Sequence, residues 1–152
     1  MVKEGSTAPA FKTTDANGQT VSLKDFRGKR VVLYFYPKDD TPGCTKEACS
    51  FRDAFSKFKK QDIAILGVSP DSEKSHQKFT TKYKLPFTLL ADIDHSIADA
   101  YGVYGEKKFM GRTYMGIHRT TFLIDEKGKI KKVFEKVKPE DHADEVLGAF
   151  LA

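Results

Sequence analysis

From residue 11 the chain reads FKTTDANGQTVSLKDF, two short runs of alternating apolar and polar positions around Asn17 and Gly18. A period of two belongs to a strand with one buried face, and Asn-Gly supplies the positive φ angles of a tight turn, so a β-hairpin is predicted here. Gly28 breaks the chain before RVVLYFY, whose continuous β-branched and aromatic run suits a strand buried on both faces, central in a sheet. After Thr41 and Pro42 the period changes. GCTKEACSFRDAFSKFKKQ places Ala48, Phe51, Phe55 and Phe58 on one helical face and charges on the other. IAILGVS is a second buried-strand pattern, and a helix is predicted from about Ser72 to Lys84, with a pause at Leu85 and Pro86.

FTLLAD then reads as a strand and HSIADAYG as a short helix, while VYGEKKFMGRTYMGI is glycine-punctuated and too irregular for one element. RTTFLIDEKGKIKKVFE predicts a hairpin turned at Lys127 and Gly128, and the last dozen residues a helix with Val146, Leu147 and Phe150 on one face. This order specifies an α/β, thioredoxin-like fold: a central mixed sheet flanked by helices, with an extra N-terminal β-hairpin. No linker divides the chain, so residues 1–152 are expected to form a single domain.

Composition narrows the function. A chain of 152 residues can bury roughly 70% of its unfolded surface without staples. The formal charge of +5 is carried by lysines interleaved with acids in KFKK, GEKKF and KGKIKKVFEKVK, which argues for solvated faces and against a nucleic-acid surface. MVKEGSTAPAFKTT has no apolar signal core, and no run approaches the ~20 apolar residues of a membrane helix, so no membrane association and a cytoplasmic location are expected. In a reducing compartment a close pair of thiols is more often catalytic or redox-sensing than structural, and the only two cysteines, Cys44 and Cys49, lie five positions apart.

Thr41 is a suitable N-cap and Pro42 a favoured first helical residue, so Cys44 falls in the first turn. Unpaired backbone N–H groups and the helix dipole stabilise a thiolate there, the reactive form of cysteine. Cys49 would lie on the same helix, with Cα atoms separated by about 8 to 9 Å. A disulfide needs roughly 4.4 to 6.8 Å. Bond formation therefore requires the first helical turn to unwind, which makes the spacing that of a switch. Oxidation of one thiolate to a sulfenic acid, followed by capture by the second thiol, is the chemistry that such a switch serves.

The segment PKDDTPGC fills the pattern P-x-x-x-T-x-x-C with Pro37, Thr41 and Cys44, and so resembles the peroxiredoxin active-site motif. Through GSTAPAF, LLAD, VYGEKKFMG and GIHRTTFLID the whole chain is similar to the bacterioferritin comigratory protein, or peroxiredoxin Q, subfamily. The resemblance implies a thiol-dependent peroxidase that reduces hydrogen peroxide and organic hydroperoxides, needs no cofactor or metal, and is recycled by thioredoxin. Cys44 matches the peroxidatic cysteine and Cys49 the resolving cysteine of an intramolecular disulfide, which fits a monomer. Arg119 matches the family arginine, expected beside Thr41 and Cys44, where its guanidinium would stabilise the thiolate and the charge leaving with the peroxide. Pro37 is expected to screen the site from water, and the backbone N–H groups of Gly43 and Cys44 are candidate donors to substrate. Glu47, Arg52 and Tyr36 lie nearby and receive no role beyond support.

Two other readings stand beside this one. A thioredoxin-type dithiol-disulfide oxidoreductase shares the fold but works through C-x-x-C, whereas four residues intervene here. A non-enzymatic metal or redox-sensing module would need histidines near the thiols, but His76, His95, His118 and His142 fall singly on predicted surfaces or element ends.

Overall fold

The computed structural model describes residues 1–151. The elements run β1 (Lys12–Asp15), β2 (Thr20–Ser22), a 3-10 turn (Leu23–Phe26), β3 (Arg30–Phe35), α1 (Pro42–Lys60), β4 (Ile63–Ser69), α2 (Glu73–Tyr83) and β5 (Thr88–Ala91). They continue with α3 (Ser96–Tyr101), β6 (Tyr104–Phe109), β7 (Arg112–Ile117), β8 (Thr120–Ile124), β9 (Ile130–Phe134) and α4 (His142–Leu151). Seven strands form one mixed sheet in the order β2-β1-β5-β4-β3-β8-β9. The neighbours β3, β4 and β5 are parallel, as expected of strands joined by helices, while β1 and β8 add antiparallel partners on either side. The N-terminal hairpin thus extends the sheet beyond β5.

The unbroken apolar run of β3 is explained by its cover. Val31 through Phe35 are each at most 1% exposed. Val32 and Tyr34 join Phe51 and Phe58 of α1, Phe79 of α2 and Val146 of α4 on one face. Val31, Leu33 and Phe35 join Ile97, Ala98 and Tyr101 of α3 on the other. Among the described residues, no helix is long and apolar enough to cross a membrane.

Two local predictions change. Only Gly18 takes a positive φ in the β1–β2 turn, at 76°, because the loop is a four-residue turn and not a two-residue one. Gly18 N donates to Asp15 O, Asp15 N donates to Gln19 O, and Asp15 Oδ1 accepts from the N–H groups of Asn17 and Gln19. The same pattern recurs around Asp125 and Gly128. The second change is that residues 104–117, too irregular by sequence, pair as the β6–β7 hairpin through a two-residue turn, with Met110 and Gly111 at φ 50° and 78°. Most of its positions face solvent, so its strands carry no apolar alternation to read.

Gly67 in β4 has no room for a side chain: a Cβ there would lie 2.8 Å from both Leu89 Cδ2 and Tyr34 Cζ. Both neighbours are held in the core, Tyr34 stacked on Phe51 with ring centroids 4.8 Å apart. Gly67→Ala is expected to cost about 1–3 kcal/mol, read as a lower urea midpoint at unchanged m-value.

Candidate active site

Strand register builds the site. Phe35 at the end of β3 pairs with Thr120 of β8, which brings Arg119 beside the loop that leaves β3. That loop, residues 36–41, begins with Tyr36 N donating to Val68 O, passes half-buried Pro37, and turns at Asp40 with φ 56°. Helix α1 then starts at Pro42, so Cys44 is its third residue and Glu47 lies one turn further on the same side.

Arg119 uses its fork on both. Its Nη2 donates to Cys44 Sγ at 3.2 Å and its Nη1 to Glu47 Oε1 at 2.6 Å. Cys44 is 2% exposed and Glu47 fully buried, while the Arg119 side chain keeps 20% of its surface. Gly43 eases the approach, since a Cβ there would lie in tight contact, 3.2 Å from Arg119 Nη2. Burial pushes the Glu47 carboxyl up to about 7, and the adjacent guanidinium only partly offsets this. The Glu47 and Cys44 charges raise the pKa of Arg119 against its own burial, so it stays a cation.

The other expected residues are placed as follows. Thr41 occupies the N-cap position with extended backbone, but its side chain does not cap the helix. The loop turns back so tightly that Thr41 Oγ1 donates to Lys38 O at 2.9 Å, which corrects the capping expectation. Cys49 is half-buried, on the same unbroken helix as Cys44, and both thiols are free. Ideal helical geometry holds their Cα atoms about 8 to 9 Å apart. Arg52 donates through Nη1 to Tyr83 O, and Tyr36 donates to Asp39 Oδ1.

Two of the four histidines are buried: His142, at an element end as expected, and His76, within α2 and not at the surface. His76 is 0% exposed, with Nδ1 2.7 Å from Asp39 Oδ2 and Nε2 2.9 Å from Leu90 O. His142 is 1% exposed, with Nε2 2.6 Å from Thr121 Oγ1 and its ring against Phe51. Each polar ring is admitted to the core by partners on other elements, which no local pattern reveals. Glu47 is buried by the same kind of distant contact, its partner Arg119 lying 72 positions away in the chain. The available signal was its place three residues after Cys44, beside the buried Ala48 and Phe51.

The comparisons with known proteins place the whole chain in a family. The AhpC/TSA family profile matches residues 5–133. A putative peroxiredoxin Bcp of Coxiella burnetii is 53% identical over 147 residues, covering 97% of each chain. A solved PrxQ variant from Xylella fastidiosa superposes with a TM-score of 0.94 at 34% identity, over 99% of this chain and 96% of that one. The Xanthomonas campestris bacterioferritin comigratory protein, solved in work on its alkyl peroxide reduction activity, gives a TM-score of 0.88 at 39% identity, over 93% and 90% of the two chains. An arginine poised on a thiol at a helix start, in a chain that matches such relatives almost end to end, has one family context: the protein belongs to the AhpC/TSA family, among its Bcp/peroxiredoxin Q members, and is a thiol-dependent peroxidase.

Proposed function

We propose that Cys44 is the peroxidatic nucleophile and Cys49 the resolving thiol of an intramolecular disulfide cycle. The observation that carries this is Arg119 Nη2 at 3.2 Å from Cys44 Sγ, at the N-terminus of α1. The thiolate attacks one oxygen of a hydroperoxide, the O–O bond breaks, and the departing alkoxide or hydroxide takes a proton. Cys44 is left as a sulfenic acid. In this cycle Arg119, already on the sulfur, and the N–H groups of the first helical turn serve as the fixed donors that stabilise charge moving onto the leaving oxygen. Thr41 keeps its hydroxyl lone pairs free while donating to Lys38 O, so it can accept from the peroxide. Pro37 limits water at the mouth of the site.

Resolution follows when the first turns of α1 unwind: the Cys49 thiol displaces hydroxide from the sulfenic sulfur, giving a disulfide and water. A dithiol reductant of thioredoxin type then returns both thiols. Because the disulfide closes within one chain, the monomer is sufficient for the cycle. Hydrogen peroxide and organic hydroperoxides are the substrate class, and the cytoplasm, where such reductants operate, is the location.

The test is intact mass with peptide mapping after one equivalent of hydrogen peroxide is added to reduced protein. The expected product has lost two hydrogens and contains a linked Cys44–Cys49 peptide; unchanged thiols would overturn the reading. Cys49→Ser should still consume one equivalent, lose thioredoxin-linked turnover, and gain oxygens on Cys44 with excess peroxide, because nothing intercepts the sulfenate.

A further inference from the structure

The loop between β3 and α1 is tied down by a buried polar cluster that the peroxidase chemistry does not use. Asp39, two residues before Thr41, is 7% exposed, and its carboxylate holds three partners. Its Oδ1 accepts from Tyr36 Oη at 2.6 Å, and its Oδ2 accepts from Ser75 Oγ at 2.8 Å and lies 2.7 Å from His76 Nδ1. His76 Nε2 faces a carbonyl, Leu90 O, which only accepts, so that nitrogen carries a hydrogen. The ring is thereby fixed between β5 and the loop. Asp39 N also donates to Asp71 Oδ2. The next residue, Asp40, accepts from Lys82 Nζ and Tyr83 Oη at the far end of α2.

Asp39, Asp71 and His76 could be taken for a cation site, since their ligand atoms lie within 4.8 Å of one another. The contacts favour a tether instead. At 2.7 Å, Asp39 Oδ2 and His76 Nδ1 are in direct hydrogen-bond contact, and both ring nitrogens are engaged.

We propose that Asp39 is a positioning residue which, through His76 and Ser75, latches the Pro37–Thr41 loop to α2 and so sets how readily the first turns of α1 unwind. The loop runs directly into the helix that carries Cys44. With the latch closed, Cys44 stays under Arg119, the arrangement suited to attack on peroxide. With it open, Cys44 leaves Arg119 and can approach Cys49. One structural bond therefore acts with opposite sign on the two steps: it favours sulfenate formation and opposes disulfide closure. The inference rests on the Cys44–Cys49 cycle proposed above.

Rapid-quench intact mass on the full chain reads both steps separately, using hydrogen peroxide. Asp39→Ala removes the carboxylate but leaves the backbone bond to Asp71. It is expected to slow sulfenate formation about tenfold, to speed disulfide closure several-fold, and to lower the yield of sulfinic acid in excess peroxide. Asp39→Asn, whose amide can still bridge Tyr36 and His76, should recover part of both rates. Ile130→Ala, in the core on the opposite face of the sheet, serves as a control whose lowered melting temperature should leave the two rates in their wild-type ratio. If Asp39→Ala does not fold, the same pair of rates is read on Asp39→Asn, with smaller shifts in the same directions. Both rates unchanged, or both changed in one direction, would overturn the latch. A wild-type protein that forms no sulfenate would instead overturn the cycle itself.

Discussion

Cys44→Ser is expected to reduce peroxide consumption, with a dithiol reductant present, by about three orders of magnitude or more, with little change in the fold. The reaction needs an ionised, polarisable nucleophile at neutral pH. A serine hydroxyl in the same place is protonated and attacks an O–O bond poorly, whatever donors surround it. Structurally the exchange is mild. The site is nearly closed, at 2% exposure, and the smaller oxygen can still accept from Arg119 Nη2. Far-UV circular dichroism and a melting temperature within a few degrees of wild type would confirm this. The remaining thiol, Cys49, has no comparable cation hydrogen-bonded to it among the described residues, so it should not substitute. Equal turnover in wild type and Cys44→Ser would sink the mechanism, including the assignment of Cys49.

How much of this was legible in the sequence follows the range of the interactions. Strand β3 and helices α1 and α2 were read closely because each is specified by a local period and by end signals such as Pro42 and Ser72. Cys44 was legible for the same reason: its place in the first helical turn depends only on neighbours in the chain. Arg119 was located by family resemblance alone. What puts it on Cys44 is the Phe35–Thr120 register, a pairing across 85 positions that no window reveals. Glu47, His76 and His142 mark the limit. A charged or polar residue is read as exposed unless its partners are known, and these partners come from β5, β8, the β7–β8 junction and the β3–α1 loop. The capping role of Thr41 went wrong at shorter range, because the backbone turn at Asp40 offers its hydroxyl a nearer acceptor in Lys38 O.

Arg119→Met is expected to lower the second-order rate with hydrogen peroxide by about 10²–10³-fold, and to make stability more sensitive to pH. The fall is expected because Arg119 is the cation hydrogen-bonded to Cys44, and in the proposed cycle its donor also stabilises the charge that develops on the peroxide. Arg119→Lys should recover part of the rate only, since one ammonium cannot hold Cys44 Sγ and Glu47 Oε1 in the fork geometry seen here. The effect on stability comes from Glu47. Its carboxyl sits at about 7 in the folded protein against 4.5 unfolded, so ionisation opposes folding: the favourable contribution is complete below pH 4.5 and is lost as pH rises through 7, about 3 kcal/mol in all. Without the guanidinium, the folded value moves higher still, and the loss continues into the alkaline range at about 1.4 kcal/mol per unit. The melting-temperature gap between wild type and Arg119→Met should therefore be small at pH 5 and widen toward pH 9. Adding Glu47→Gln to Arg119→Met should close that gap at high pH and leave the rate as low as before, because it removes the uncompensated carboxylate without replacing the donor to Cys44. A gap independent of pH would mean that Glu47 is not the titrating group, and a rate within twofold of wild type would remove Arg119 from the peroxide step.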